Sequence, residues 1–362
     1  MKRNYGAVMA VAGLGLALTL SACGSDDSEG GKDGGDGAVD GKIGVILPDT
    51  ESSVRWESAD RPALESAFKE AGVEYSIQNA EGDAEKMTQI ADSMIADGVT
   101  VLAIVNLDSA SGAAIQEKAE TQGVVTIDYD RLTLGGSAKA YVSFDNTVVG
   151  ELQGQGLADC LGEKDANIVY LNGSPTDNNA TLFSAGAHSV LDKVSTYKKV
   201  GEQAVPDWDN EQAAVIFQQL YTNADGKVDG VLAANDGLAG AVISILEGNG
   251  RAGKVPVTGQ DATVEGLQNI LAGTQCMSVY KSAKEEAGAL AKTAIALAKG
   301  EDAPTTGTTK DSESGREVPS VLLTPKAITK DNVGDVISDG GQKLEDVCTA
   351  DFADACKAAG LS

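Results

Sequence analysis

The stretch VTVLAIVNLDSASGAAIQEKAETQGVVTIDYD, residues 99–130, decides the fold. VTVLAIV (99–105) is a β-branched apolar run of strand length, SGAAIQEKAETQG (111–123) is a helical pattern stopped by Gly123, and VVTIDYD (124–130) is a second strand. Strand, helix and strand at this spacing form one unit of a parallel sheet covered on both faces. Upstream, KIGVILP (42–48) and YSIQNA (75–80) read as strands, and 62–71 and 87–98 as helices closed by Gly72 and Gly98. The alternation restarts after about residue 145. Helices are predicted at 147–161, 179–191, 210–223, 236–249, 263–272 and 282–299, and strands at 167–173, 197–201, 229–234, 255–259, 275–281 and 318–325. The tail from about 340 is polar and at most helical. The expected fold class is α/β: two doubly wound parallel-sheet lobes joined by three crossing strands near 130–145, 275–282 and 318–325. The expected lobes are 42–130 plus 282–318 and 131–281 plus 319–340, followed by a tail, 341–362.

The N-terminus reads as an address. Lys2 and Arg3 precede an apolar stretch from Ala7 to Leu20, too short and too rich in small residues for a spanning helix. It closes on Leu20-Ser21-Ala22-Cys23, which resembles the bacterial lipobox, so residues 1–22 are predicted to be a signal peptide and Cys23 the lipidated first residue of the mature protein. Ordinary cleavage with Cys23 incidental is the alternative, but the cysteine occupies the position a lipobox requires. Residues 24–41, GSDDSEGGKDGGDGAVDG, are a flexible spacer. The expected location is the outer face of the cell membrane. Four further cysteines, Cys160, Cys276, Cys348 and Cys356, allow three pairings in an oxidising compartment. The short loop favours Cys348–Cys356, leaving Cys160–Cys276.

Composition narrows the function. Among 362 residues, 28 Lys and Arg face 54 Asp and Glu, a net charge of −26 that opposes docking on nucleic acid or anionic lipid. The single histidine, His188, and the lack of any CxxC leave no pattern for a metal site or histidine chemistry. Gly154-Gln155-Gly156 falls inside a predicted helix, so it is no dinucleotide fingerprint, and no cofactor is expected. No helix-turn-helix precedes the body.

In open α/β sheets a ligand binds beyond the carboxyl ends of the strands. The residues there are Arg55, Trp56, Asp130, Arg131, Asp177, Asn179, Asn235, Asp261 and Lys281, with Trp208 in the loop VPDWDN (205–210). Each has a plainer reading. Asp177, Asn235 and Asp236 can cap the helices that follow them, and for Asp236 the cap is preferred. Arg131 can be a surface ion pair, Lys281 a solvated lysine, and the tryptophans core residues. Taken together they suit a sugar: hydroxyls both donate and accept, matching Arg, Asp and Asn, while the C–H faces of the ring lie flat on indoles.

With these residues in view, the chain from Lys42 to about Gly340 resembles the type I periplasmic sugar-binding proteins, the substrate receptors of ABC transporters, and within them most of all the D-xylose-binding branch. The matching segments are Arg55-Trp56, Tyr129-Asp130-Arg131, Ser143-Phe144-Asp145-Asn146, Gly173-Ser174-Pro175 with Asp177-Asn178-Asn179, Asn235-Asp236, Gly259-Gln260-Asp261 and Val279-Tyr280-Lys281. The resemblance implies that Arg55, Arg131, Asp177, Asn179, Asn235, Asp261 and Lys281 hydrogen-bond a pyranose, with Asp130 beside them, and that Trp56 and Trp208 sandwich it. It also implies a monomer that closes around its sugar and then meets a membrane permease. Three features depart from the pattern. Arg55-Trp56-Glu57-Ser58 lacks the family's lysine after the tryptophan, residues 48–56 and 236–238 look like receptors that take glucose, galactose and arabinose, and the tail with Cys348 and Cys356 lies outside the xylose-type pattern. A glycoside hydrolase using Asp177 and Asp261 is the competing class.

Overall fold

A computed structural model describes residues 41–361. The predicted signal peptide, Cys23 and all of the spacer but Gly41 lie outside the described residues. In chain order the elements are β1 (Lys42–Leu47), α1 (Arg61–Glu70), β2 (Glu74–Asn79), α2 (Ala84–Ala96), β3 (Val99–Ile104), α3 (Ser109–Thr121), β4 (Val125–Tyr129), β5 (Ala140–Phe144) and α4 (Asn146–Leu161). The chain continues with β6 (Ala166–Asn172), α5 (Asn178–Leu191), β7 (Tyr197–Ala204), α6 (Asn210–Asn223), β8 (Gly230–Ala233), α7 (Asp236–Gly248), α8 (Val264–Ala272), β9 (Ser278–Tyr280) and α9 (Ala283–Ala298). It ends with β10 (Gly307–Lys310), β11 (Glu317–Leu323), β12 (Lys326–Ile328), α10 (Val333–Ser338), α11 (Leu344–Val347) and α12 (Ala353–Ala358).

The first lobe is a seven-stranded sheet ordered β10-β11-β5-β4-β3-β1-β2, parallel except for the β10–β11 pair. Its strands read as near-continuous apolar runs because helices bury both faces. Ile43, Val45, Phe68 and Leu290 pack on the side of α1 and α9, while Ile46, Leu102, Met87 and Ile115 pack on the side of α2 and α3. The second lobe is built on β7-β6-β8, extended by single bridges from Val231 to Val257 and from Gln260 to Val279, with β9 antiparallel to β12.

The lobe boundaries differ from those read in the sequence. β5 pairs with both β4 and β11, so Ala140–Phe144 and residues 319–323, assigned by sequence to the second lobe, belong to the first sheet. Ala140–Phe144 is buried along its whole length, as the centre of a sheet requires, but five residues following a loop gave too short a period to be recognised. The chain therefore changes lobes after β5, after β9 and after β11. Two of these crossings are tied together where the Asp145 N–H donates to the Leu323 carbonyl at 3.0 Å. β10 and β12 carry no apolar run and were missed; the predicted strand 255–259 is reduced to bridges. The tail is more than a polar appendage: Val347 and Cys356 are buried with Leu267, Leu271 and Ile328 against α8. Cys160 is bonded to Cys276, and Cys348 to Cys356, with Cα separations of 6.6 and 5.8 Å. Among the described residues no helix is long and apolar enough to cross a membrane.

Candidate functional site

One crevice between the lobes gathers all ten side chains singled out from the sequence, around about 320 Å³ of atom-free space that is partly open to solvent.

The first-lobe wall is built on a turn. Asp49 Oδ1 accepts from the Glu51 and Ser52 N–H groups at 3.0 and 2.7 Å, folding the loop after β1 back on itself. Ser52 Oγ then accepts from the Trp56 indole at 3.1 Å and from Arg131 Nη2 at 3.3 Å. The Arg55 guanidinium lies over the Trp56 ring, 4.6 Å from its centroid, and that of Arg131 lies at 5.9 Å. Such cation–π contacts strengthen where water is excluded, and Trp56 is 3 % exposed. Asp130 ends β4 with φ +59°, a left-handed conformation costly for a side chain with a Cβ. Its carbonyl holds the turn by accepting from Ser143 Oγ at 2.7 Å, Asn179 Nδ2 at 2.9 Å and Tyr141 Oη at 3.0 Å. Burial pushes the Asp130 carboxyl up, but Lys281, Arg55 and Arg131 outweigh it and hold the group below the usual carboxylate range.

The second-lobe wall is built from helix starts. Asp177 caps α5, accepting from Asn179 N–H at 2.9 Å, and Asn235 caps α7, accepting from Leu238 N–H at 2.8 Å. Asp177 Oδ2 accepts from the Trp208 indole at 3.2 Å; burial raises its carboxyl, which Arg131 opposes. Trp208 lies flat against Gly173, where any Cβ would fall 2.1 Å from the ring, so only glycine admits it. Asp261, at φ +91°, stands 3.5 Å from Lys281 Nζ. The sequence reading preferred a cap role for Asp236. In the structure Asn235 is the cap, while the buried Asp236 carboxylate accepts from Thr263 N–H, Gln275 Nε2 and Ser278 Oγ, each at 2.8 Å.

The two walls touch. Ser53 Oγ donates to Asp261 Oδ2 at 3.1 Å and Asn235 Nδ2 donates to the Ser52 carbonyl at 3.2 Å. Arg131 Nε lies 3.1 Å from Asp177 Oδ2 but out of hydrogen-bond alignment. Arg131 Nε and Gln260 Oε1 are thus buried polar atoms at the crevice without a hydrogen-bond partner. Such atoms cost free energy unless a ligand satisfies them.

Ser52, Ser53, Phe183 and Gln260 also line the crevice and were not singled out from the sequence. The serines and Gln260 sit in segments already marked as strand ends. Phe183 could have been found as the residue one helical turn after Asn179. His188, read as an ordinary histidine, stacks on Tyr170 at 4.4 Å, away from the crevice, between Asp192 and Glu202. Among the described residues no group of three His, Cys, Asp or Glu side chains is arranged to hold a metal ion.

Comparison with known proteins places this geometry. The periplasmic binding protein domain matches residues 43–302. The D-xylose-binding periplasmic protein of Escherichia coli is 37 % identical over 306 residues, covering 83 % of this chain and 91 % of that protein. The chain belongs to the type I periplasmic sugar-binding proteins. Among members of that family, the multiple sugar-binding periplasmic receptor ChvE of Rhizobium radiobacter is 33 % identical, covering 83 % of this chain and 90 % of the receptor. A carbohydrate transporter solute binding protein from Chloroflexus aurantiacus, solved in complex with D-glucose, superposes with a TM-score of 0.78 at 28 % identity, covering 84 % of this chain and 97 % of that one. These relatives are solute-binding proteins, and the doubly wound two-lobe fold is the one they share.

Proposed function

We propose that this protein is a lipid-anchored extracytoplasmic receptor that captures a monosaccharide, D-xylose first, and delivers it to the permease of an ABC importer when its lobes close. The observation that supports this best is the crevice itself: three cations, three carboxylates and three carboxamides converge with two indoles on one small space, and two of the polar atoms there lack a partner. A hydroxyl group donates and accepts at once and can satisfy both Arg131 Nε and Gln260 Oε1. Closure then becomes favourable only with a polyol in place, because the ligand contacts both lobes and binds the closed state better than the open one. Asp177 and Asp261 are engaged by Trp208, Arg131, Lys281 and Ser53, which suits binding groups better than the free acid and base a hydrolase needs. The Cys23 anchor and acidic spacer would hold the body off the membrane.

A second reading has its own support. The 33 % identity to a multiple sugar-binding receptor and the likeness to a glucose-bound structure favour a broader pocket that takes glucose, galactose and arabinose as well. A thermal-shift screen of pentoses and hexoses decides between them. A ligand at a hundred times its Kd adds about 2.7 kcal/mol of stability. D-xylose giving the largest rise in Tm supports the first reading; comparable rises with hexoses support the second; no rise with any sugar sinks both. Cys23→Ser should release the protein from the membrane, read as its appearance in the soluble fraction.

A further inference from the structure

Behind the first-lobe wall, Arg55 is held by more carboxylates than the cations beside it can balance. Asp60 accepts from its Nε and Nη2 at 2.9 and 2.6 Å, Asp130 accepts from Nη1 at 3.3 Å, and Glu286 accepts from Nη2. The next cation, Lys281, stands 3.9 Å from Asp130 and is shared with Asp261. Asp60 and Glu286 are fully buried, so no water screens them. Three ionised carboxyls here would leave buried negative charge unpaired, a state that proteins avoid by keeping a proton.

The hydrogen bonds say which carboxyl keeps it. Asp60 is saturated by Arg55 and by the Tyr129 hydroxyl, and Asp130 Oδ1 accepts from Asn179 Nδ2 at 3.1 Å. Glu286 Oε1 meets no donor at all. Asp130 and Glu286 accept from the two terminal nitrogens of the same guanidinium, Nη1 and Nη2 of Arg55, which brings the two carboxyls together. Two facing carboxyls in a dry site are stable when one is the acid and donates to the other.

Resting on the sugar-receptor reading, we infer that Glu286 is a positioning residue: as the neutral acid it donates to Asp130, keeping Arg55 and Asp130 aimed into the crevice, and closing around the sugar requires that proton. Burial above all pushes the Glu286 carboxyl up to about 8; Arg55 opposes the rise, while Asp130 and Asp60 add to it. The other groups facing Glu286 are Lys281 and the phenols of Tyr129 and Tyr141. Burial drives both phenols well above their ordinary value, so they stay neutral when Glu286 titrates. Opening the crevice lets water reach Asp130 and weakens the hold on the proton. Closure therefore takes up a proton between the open-state and closed-state values, and affinity falls as pH rises through that window and is level above it.

The test is calorimetric titration of the whole protein with the best sugar of the screen, from about pH 5 to about pH 9.5, in buffers of different ionisation enthalpy. For the wild type, affinity should fall by up to about tenfold per pH unit as pH rises from the open-state value toward about 8 and level off above it, with net proton uptake on binding across the fall. Glu286→Gln, whose amide donates to Asp130 at every pH, should lose this fall and the proton uptake. Glu286→Ala, with no donor, should bind more weakly than Glu286→Gln at pH 7. A wild type that binds equally well across the range overturns the assignment, as does Glu286→Gln keeping the fall toward pH 8, or a folded Glu286→Gln that binds no sugar. A wild type that binds no sugar at any pH defeats the receptor reading itself and the assignment with it; sugar bound with a flat profile defeats the assignment alone.

Discussion

The two walls of the crevice present similar chemistry but are held in place differently. On the first lobe, Arg55 and Asp130 are fixed by a buried ionic cluster with Asp60 and Glu286, and Arg131 is fixed by the Asn106 carbonyl at 3.1 Å. On the second lobe, Asp177 and Asn235 are fixed by capping α5 and α7. The first arrangement commits side chains that do nothing else. The second gives one side chain two tasks: one oxygen of Asp177 satisfies a helix N-terminus while the other faces Arg131 and Trp208, and in Asn235 the oxygen caps while the amide reaches the opposite lobe. A substitution in the first wall should therefore upset a charge balance, and one in the second should split into a helix effect and a closure effect.

The sharpest way to break that comparison is Arg55→Met. It leaves Asp60 buried without its counter-ion, a loss of about 3–5 kcal/mol for a broken buried pair. Sugar binding should vanish, and denaturant titration should show the full stability cost. A cost below about 1 kcal/mol would mean that packing, not charge, holds this wall.

Next in size is the pair Asp177→Ala and Asp177→Asn. Both remove the carboxylate beside Arg131 and should weaken sugar binding by at least tenfold, about 1.4 kcal/mol, since the buried guanidinium loses its partner. Asparagine is as good an N-cap as aspartate, so only the alanine variant should show the further loss of about 1 kcal/mol in unfolding free energy. Equal stabilities would show that the cap of α5 carries no weight and that the two tasks are not shared.

The same contrast explains what could be read from the sequence. The second-lobe groups were legible because capping puts Asp and Asn at the junction of strand and helix, where open α/β sheets bind ligands. The exposed-looking polar runs around Trp56 and Trp208 also marked the crevice, although both indoles are buried, at 3 % and 5 % exposure. Glu286 was not legible. It sits in the first turn of α9 among AKEEAGALAKTAIALA, where an acid serves any helix dipole, and only the fold brings it to Arg55, 231 residues away in the chain. The lobe boundary at 130 failed for a related reason. β5 earns its place by pairing with strands from two distant parts of the chain, β4 and β11, and a local period cannot register such pairing. Arg131 moves with that boundary: it belongs to the first lobe, so its contact with Asp177 crosses the crevice.

The smallest effect separates the two tasks most cleanly. Asn235 Oδ1 accepts from Leu238 N–H at 2.8 Å while its Nδ2 donates across the crevice to the Ser52 carbonyl at 3.2 Å. Asn235→Ser replaces one good cap with another, because a serine hydroxyl accepts from the same N–H, but it is too short to span the lobes. Unfolding free energy should then stay within about 0.5 kcal/mol of the wild type. Sugar affinity should drop by roughly fivefold, the worth of one neutral hydrogen bond of about 1 kcal/mol. The loss should appear as faster release, since the contact exists only in the closed form and must break before the sugar leaves. Stopped-flow dissociation measures it. A slower association with unchanged release would place the amide on the path into the crevice instead, and would give the second wall a single task at this position.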